Sequence, residues 1–440
     1  MNDRIIYQLF LRPFTPEGTL AAATKKLSHI SSLGVNTVYL TSCCKADNDC
    51  NEAHFSPRQK ASKTGNPKNP YRISDYYTLD EEYGTLDDLK KFVNTAHEFN
   101  LDVLFDVVFL HCGPSAVFLE DHRDFVKRDE NGNIVCNAWC FPEINFESAE
   151  LRRYLIDNMK FWITECDFDG FRCDVGDQIP LDFWSEAKDE LQKIKPSLYM
   201  LNEGVKPEYT NTVFDSNYNF LWTHALQAAI RAQSPTSFIR KTDEDCRKSY
   251  ASLPYVCLRA LETHDYANDH YENRPDKALP SKAAYCAHLI NLMMDGIPVI
   301  YNGNEIADGS RHSIWGNRDF GRFCIDWTKA DTPDGKARLE AIKNAISIRK
   351  SNKWLLDAKT IWLDNSQSDK IVSFAREGSN LAFVVVANLR NEDVVAEITL
   401  PFVCKNDICV MYGDAECFAI NNSISVAAQA YGFAIISIKF

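Results

Sequence analysis

The chain has 440 residues, 45% hydrophobic and 25% charged, with 18 glycines and 17 prolines. That balance excludes a disordered tail protein, a collagen-like repeat and a small disulfide scaffold, and it leaves ample chain for a large core. Forty-eight basic against 61 acidic side chains give a net charge of −13, a field that repels phosphate backbones and anionic lipid. Nucleic acid and membrane surfaces are therefore poor partners, while a neutral small molecule or polymer stays open.

The first seven residues lack the basic and apolar regions of a signal peptide. No apolar run reaches the ~18 residues of a spanning helix. The 15 cysteines are odd in number and lack a zinc-ribbon rhythm. Cys166, Cys173, Cys257 and Cys286 lie in apolar stretches as small hydrophobes, and most thiols read as reduced in a cytoplasmic protein. Cys43, Cys44, Cys50, Cys112, Cys136 and Cys140 fall in loop-like sequence, where a disulfide, a metal cluster or unpaired thiols are the alternatives.

Short apolar runs alternate with helix-period segments over the first 350 residues, the signature of repeated βα units. Strands are expected at 5–10, 35–40, 103–108, 171–174, 199–201, 212–214, 256–261 and 299–301. Helices are expected at 19–33, 85–99, 149–164, 181–194, 221–232, 282–294 and 336–350. Eight strands with interleaved helices predict an α/β fold, a (β/α)₈ TIM barrel. Residues 112–147 break the rhythm as a short insertion after the third strand. Beyond 354 the pattern turns to alternation, as expected of a C-terminal antiparallel β-sandwich. The barrel then comprises 1–111 and 148–353, the insertion 112–147 and the β domain 354–440.

In such a barrel, catalytic groups project from the C-terminal strand ends. The third strand runs Asp106 to His111, and the fourth ends Arg172-Cys173-Asp174. The fifth is followed by Glu203, and the seventh by Glu262-Thr263-His264-Asp265. Taken singly, an Arg-x-Asp is more often an ion pair and a Glu after a strand more often a helix cap. Together, three carboxylates, two histidines and an arginine on one face suit acid/base chemistry on an uncharged, hydroxylated ligand.

These segments resemble the four motifs of the α-amylase family of retaining glycosidases, in order and over essentially the whole chain. Ile6 to Phe10, Pro70 to Tyr77 with Glu82 to Thr85, Pro142 to Asn145, and Gly296 to Glu305 resemble further family segments. The resemblance implies Asp174 as nucleophile, Glu203 as general acid/base and Asp265 as the acid that holds sugar hydroxyls. It implies substrate-binding roles for Tyr71, His111, Arg172 and His264, and a supporting role for Asp106 in orienting Arg172.

The expected reaction is cleavage of α-glucosidic bonds, mainly α-1,4, in maltodextrin or starch-derived oligosaccharides through a covalent glycosyl-enzyme. The alternatives are an oligo-α-1,6-glucosidase, an α-glucan transglycosylase, or a catalytically silent binding relative. Leu110 stands where many relatives have an asparagine ligand to calcium, and Gln178 stands in place of a His or Lys. No cofactor is therefore expected to be required, with the usual structural calcium absent or differently bound. Asp129, Glu130, Asn131 and Asn133 offer either a separate acidic site or a solvated turn. The short insertion implies an open cleft, and Trp139, Trp222, Trp315 and Tyr266 are candidate platforms for outer sugars.

Overall fold

The computed structural model describes residues 3–269, 271–321, 323–402, 408–420 and 422–439. The barrel strands are β1 (Ile6–Leu9), β2 (Thr37–Leu40), β3 (Asp102–Val107), β4 (Gly170–Cys173), β5 (Tyr199–Asn202), β6 (Ser216–Asn217), β7 (Leu258–Ala260) and β8 (Ile297–Tyr301). They pair in parallel in the order β6-β5-β4-β3-β2-β1-β8-β7. A parallel bridge from Asn217 to Cys257 closes the ring.

Successive strand residues face opposite sides. Tyr7, Leu9, Val38, Phe105, Phe171 and Cys173 pack outward into the main core. Ile6, Tyr39, Leu104, Leu201, Leu258 and Val299 form a separate inner cluster. One step further toward the C-terminal mouth, the inward positions turn polar, with Gln8, Asp106 and Arg172 all fully buried. Gly170 lies one turn of the pleat below Arg172. A Cβ there would meet the Tyr199 carbonyl oxygen at 2.0 Å, so glycine lets β4 and β5 approach.

The outer helices start where the sequence caps them. Thr85 and Asp88 form a capping box on Leu86–Glu98, Ser148 caps Ala149–Cys166, and Thr332 with Pro333 opens Pro333–Ser351. Two expectations are corrected. The helix expected over 19–33 is two pieces, Leu20–Thr24 and Leu27–Ser32. The Thr24 hydroxyl bonds back to the Leu20 carbonyl at 2.8 Å, and the Lys26 amide turns tightly onto Ala23.

The strand expected at 212–214 is absent, and Thr212 instead closes the helix Pro207–Thr212. Val213 and Phe214 are apolar because they pack into the outer core. The true strand, Ser216–Asn217, carries no apolar alternation that a sequence pattern would reveal.

The loop after β2 is more structured than its polar sequence implies, carrying the ribbon Cys44–Ala46 with Ile73–Leu79 and the helix Pro57–Ser62. The excursion after β3 is held by bridges His111–Glu143, Val126–Ile144, Arg128–Ile134 and Cys136–Pro142.

The C-terminal strands are β9 (Thr360–Trp362), β10 (Ile371–Glu377), β11 (Leu381–Asn388), β12 (Val394–Thr399), β13 (Ile408–Gly413), β14 (Glu416–Ile420), β15 (Ser423–Ala428) and β16 (Phe433–Lys439). They form antiparallel sheets β9-β10-β11-β16-β13 and β12-β15-β14. Val384, Val386, Ile436 and Ile438 pack against Ala396, Ile398 and Val426 between the sheets. Phe383, Val385 and Ile435 on the other face join the barrel core. Strands buried on both faces explain the near-continuous apolar runs there. Among the described residues, no helix is long and apolar enough to cross a membrane.

Candidate active site

A cavity of about 360 Å³ opens at the C-terminal mouth of the barrel, lined by Tyr71, His111, Asp174, Glu203, His264 and Asp265 among others. The parallel ladder sets these groups. The Asp174 amide donates to the Val107 carbonyl at 2.9 Å, and the Glu203 amide to the Cys173 carbonyl at 3.0 Å. Each acid therefore leaves its strand at the same level.

Arg172 is the hub. Its Nη1 donates to Asp106 Oδ1 and to Asp174 Oδ1, each at 2.7 Å, and its Nη2 reaches Glu203 Oε1 at 2.7 Å. The guanidinium lies 5.6 Å from the ring centres of both Tyr39 and Tyr218. Asp106 Oδ2 also accepts from the hydroxyls of Tyr39 at 2.9 Å and Tyr71 at 3.1 Å. One buried cation facing three carboxylates cannot favour ionisation of all of them equally.

Burial drives the Glu203 carboxyl well above its ordinary range. Arg172 opposes that shift, while Asp174 and Asp265 add to it. Asp174 is raised less, again by burial and the charge of Asp106 against the pull of Arg172. Asp265 goes the other way. Burial works against its charge, yet the His264 ring and the Arg58 guanidinium, whose Nη2 is 2.9 Å from Oδ1, hold it at about 2. Burial thus opposes ionisation of Glu203 and Asp174, while Asp265 is held in its ionised form.

Both histidines are neutral at pH 7, and His264 is charged only in the acid range where Asp265 titrates. Burial lowers His264 to about 4 and moves His111 downward too. Their tautomers follow from their partners. Gln8 Nε2 donates to His264 Nδ1 (2.8 Å), so the ring's Nε2–H donates to the Tyr71 hydroxyl at 2.7 Å. Tyr71 then donates on to Asp106, and its ring stacks on His264 at 5.5 Å. His111 donates from Nε2 to the Tyr71 carbonyl at 2.8 Å and accepts at Nδ1 from the Asn137 amide at 3.2 Å.

All eight residues singled out from the sequence are thus brought together around one cavity mouth. Sequence reasoning missed Gln8, Tyr39, Tyr218 and Arg58. Gln8 carried a signal, being a polar residue on the inward side of an apolar strand. Arg58 carried none, since it lies on a short helix of the loop after β2.

Of the candidate platforms, Trp139 and Trp315 line the cavity. Trp222 does not: it is fully buried, its indole N–H donating to Asn291 at 2.8 Å, beneath the Arg259 guanidinium. Tyr266 bonds to His224 at 2.6 Å instead of facing the cavity. The Asp129 carboxylate is spent on the amides of Asn131 and Asn133 at 2.9 and 2.8 Å, a local turn.

Leu110, where many relatives have a calcium-ligating asparagine, carries no side-chain oxygen. It packs against the hydrophobic core, and its carbonyl accepts from the Ile144 amide at 3.2 Å. Of the loop cysteines, Cys43, Cys44 and Cys112 are buried free thiols, and Cys50 and Cys136 are exposed ones.

With this geometry in view, the model of the alpha-amylase catalytic domain matches residues 3–133 and 135–370. The chain belongs to the alpha-amylase family. It is therefore a glycoside hydrolase of the (β/α)₈ class. It is 25% identical to a cyclomaltodextrinase of Geobacillus thermopakistaniensis (strain MAS1), over 96% of this chain and 70% of that one. It is 24% identical to an intracellular maltogenic amylase of Bacillus subtilis, over 87% of this chain and 63% of that one. The fold matches a maltogenic alpha-amylase, AmyB, from Thermotoga neapolitana with a TM-score of 0.83 at 23% identity, covering 100% of this chain and 99% of that one.

Proposed function

We propose that this alpha-amylase-family enzyme hydrolyses α-1,4 bonds of maltodextrin-type oligosaccharides with net retention, Asp174 acting as nucleophile and Glu203 as acid/base. The observation that carries the reading is the arrangement set up around Arg172. Asp174 and Glu203 both pair with that guanidinium at 2.7 Å, and burial with the charges of Asp174 and Asp265 drives Glu203 toward its protonated form.

Glu203 gives its proton to the glycosidic oxygen as the Asp174 carboxylate attacks C1, and the C1–O bond breaks to leave a glycosyl ester. Water then attacks C1, Glu203 takes its proton, and the Asp174 ester bond is released. Asp265, held ionised beside the sugar, favours the positive charge that develops on the ring. Tyr71 supplies an aromatic face, and a sugar hydroxyl competes with it for the Nε2–H of His264.

Relatives named cyclomaltodextrinase and maltogenic amylase support a maltodextrin substrate. An intracellular relative and free thiols such as Cys43, Cys44 and Cys112 among the described residues support a cytoplasmic location. The test is the product profile on maltoheptaose, panose and pullulan with the anomer of the first product recorded. Release of the α-anomer from α-1,4 bonds is expected; a β-anomer refutes the two-step mechanism. Cleavage confined to the α-1,6 bond of panose, giving glucose and maltose, makes the enzyme an α-1,6-glucosidase, and lengthened products make it a transglycosylase. Asp174→Asn and Glu203→Gln should each lower kcat by roughly 10³-fold or more with folding intact.

A further inference from the structure

We propose that Arg58 is a specificity-determining residue that closes the glycone end of the cleft and takes the terminal hydroxyls of a non-reducing glucose, so that chains are attacked from that end. This rests on the roles of Asp174 and Glu203 given above.

Arg58 lies on the helix Pro57–Ser62, started by Pro57 and by the Ser56 hydroxyl accepting from the Gln59 amide at 3.1 Å. Its Nη2 is 2.9 Å from Asp265 Oδ1, and its guanidinium stands 5.8 Å from the Trp315 ring centre. The two side chains are 36% and 33% exposed, so the pair meets the cavity with a donor and an acceptor side by side. That combination matches a vicinal diol.

The wall carrying Arg58 is fastened from behind. The fully buried Arg72 donates to the carbonyls of Asp47, Asp49, His54 and Pro67, the first at 3.2 Å. Gln59 donates to the carbonyls of Asn66 and Pro67 at 3.0 and 3.1 Å. Asn66 Nδ2 donates to the Trp315 carbonyl at 2.9 Å, and Arg12 bonds the carbonyls of Lys68 and Ile314 together. Buried charge-assisted bonds of this kind hold the loop after β2 against the loop after β8. The loop that carries Arg58 is thereby held beside the cavity, which Ser56, Arg58, Ile314 and Trp315 line together.

Sugar geometry sets which end is closed. C1 and C4 lie across the pyranose ring from one another. With C1 over Asp174 and the leaving oxygen toward Glu203, the O3 and O4 hydroxyls point away from the acid. The proposal puts Asp265 and Arg58, which line the same cavity, at those hydroxyls. A chain interior carries another glucose on O4 and runs into the wall, whereas a terminal glucose ends in a hydroxyl that the guanidinium can bond.

The test compares a chromogenic maltoheptaoside with the same compound blocked by a 4,6-acetal on its non-reducing glucose. Wild-type enzyme should cleave the free compound with kcat/KM roughly tenfold or more above that of the blocked one. Arg58→Ala should lose roughly tenfold on the free compound and bring the ratio toward one. Arg58→Lys, which keeps charge without the planar fork, should fall between. Melting curves show that each variant is folded, and Arg58→Lys carries the comparison if Arg58→Ala is not. Equal cleavage of both compounds by the wild type, or an unchanged ratio in the folded variants, overturns the proposal. Cleavage of neither compound by the wild type instead sinks the hydrolytic reading beneath it.

Discussion

Replacing Asp106 with asparagine should move the acid limb of kcat/KM to lower pH by about one to two units. Asp106 and Asp174 both accept from Nη1 of Arg172 at 2.7 Å, so their bonded oxygens stand no further apart than twice that distance. A unit charge at such a range, at an effective dielectric of about 20, is worth about 3 kcal/mol, or about two pH units. Spreading each charge over two oxygens brings the expected figure down toward one.

The sign follows from the direction of the shift. Burial and the charge of Asp106 raise the Asp174 carboxyl, so removing that charge lets Asp174 stay ionised to lower pH. The substituted asparagine would still offer Arg172 a neutral acceptor, but its NH₂ group would face the hydroxyls of Tyr39 and Tyr71. That mismatch should cost about 1–3 kcal/mol of stability. The assay is kcat/KM on a chromogenic maltotrioside from about pH 3 to 8, with a melting curve at each pH to separate activity from folding. An acid limb that stays in place, or moves upward, in a folded variant refutes the electrostatic account of the site.

Trp222→Ala should cost about 3–5 kcal/mol of stability while leaving the product profile unchanged, because the ring is core. Trp139→Ala should do the reverse, raising KM for longer oligosaccharides with little change in Tm, since this half-buried ring lines the cavity. A chelator should alter neither activity nor Tm, Leu110 offering no side-chain oxygen at the family's calcium position; loss of either on chelation refutes that. In a thiol titration of the native protein, Cys50, Cys136 and Cys409 should react at once and the buried Cys43, Cys44, Cys112 and Cys173 only after denaturation. Burial raises the thiols of Cys43 and Cys173 well above the ordinary range, which slows them further.

Much of the site was legible because a barrel strand presents every second residue inward and ends at the catalytic face. Arg172 and Asp174 could be assigned to one side of β4 by counting, and Glu203 and Asp265 by where an apolar run stops. Strand β6 escaped because Ser216 and Asn217 are too short and too polar to carry a period, while Val213 and Phe214 mimic a strand from inside the core. Trp222 misled for the same reason, since an aromatic residue reads alike whether it faces ligand or core.

The barrel, the identity of its acids and the order in which they arrive were readable along the chain, since these depend on periodicity and on residues within a few positions of each other. The length of 440 residues and the charge of −13 left room for such an enzyme without pointing to one. Folding brought three of those acids, residues 106, 174 and 203, onto one guanidinium, an arrangement that no local stretch of sequence encodes. It alone placed Arg58 against Asp265, a contact between residues 207 positions apart. No local pattern encodes a pairing at that distance. It arises when buried arginines tie two loops to each other and thereby fix the wall of the cleft.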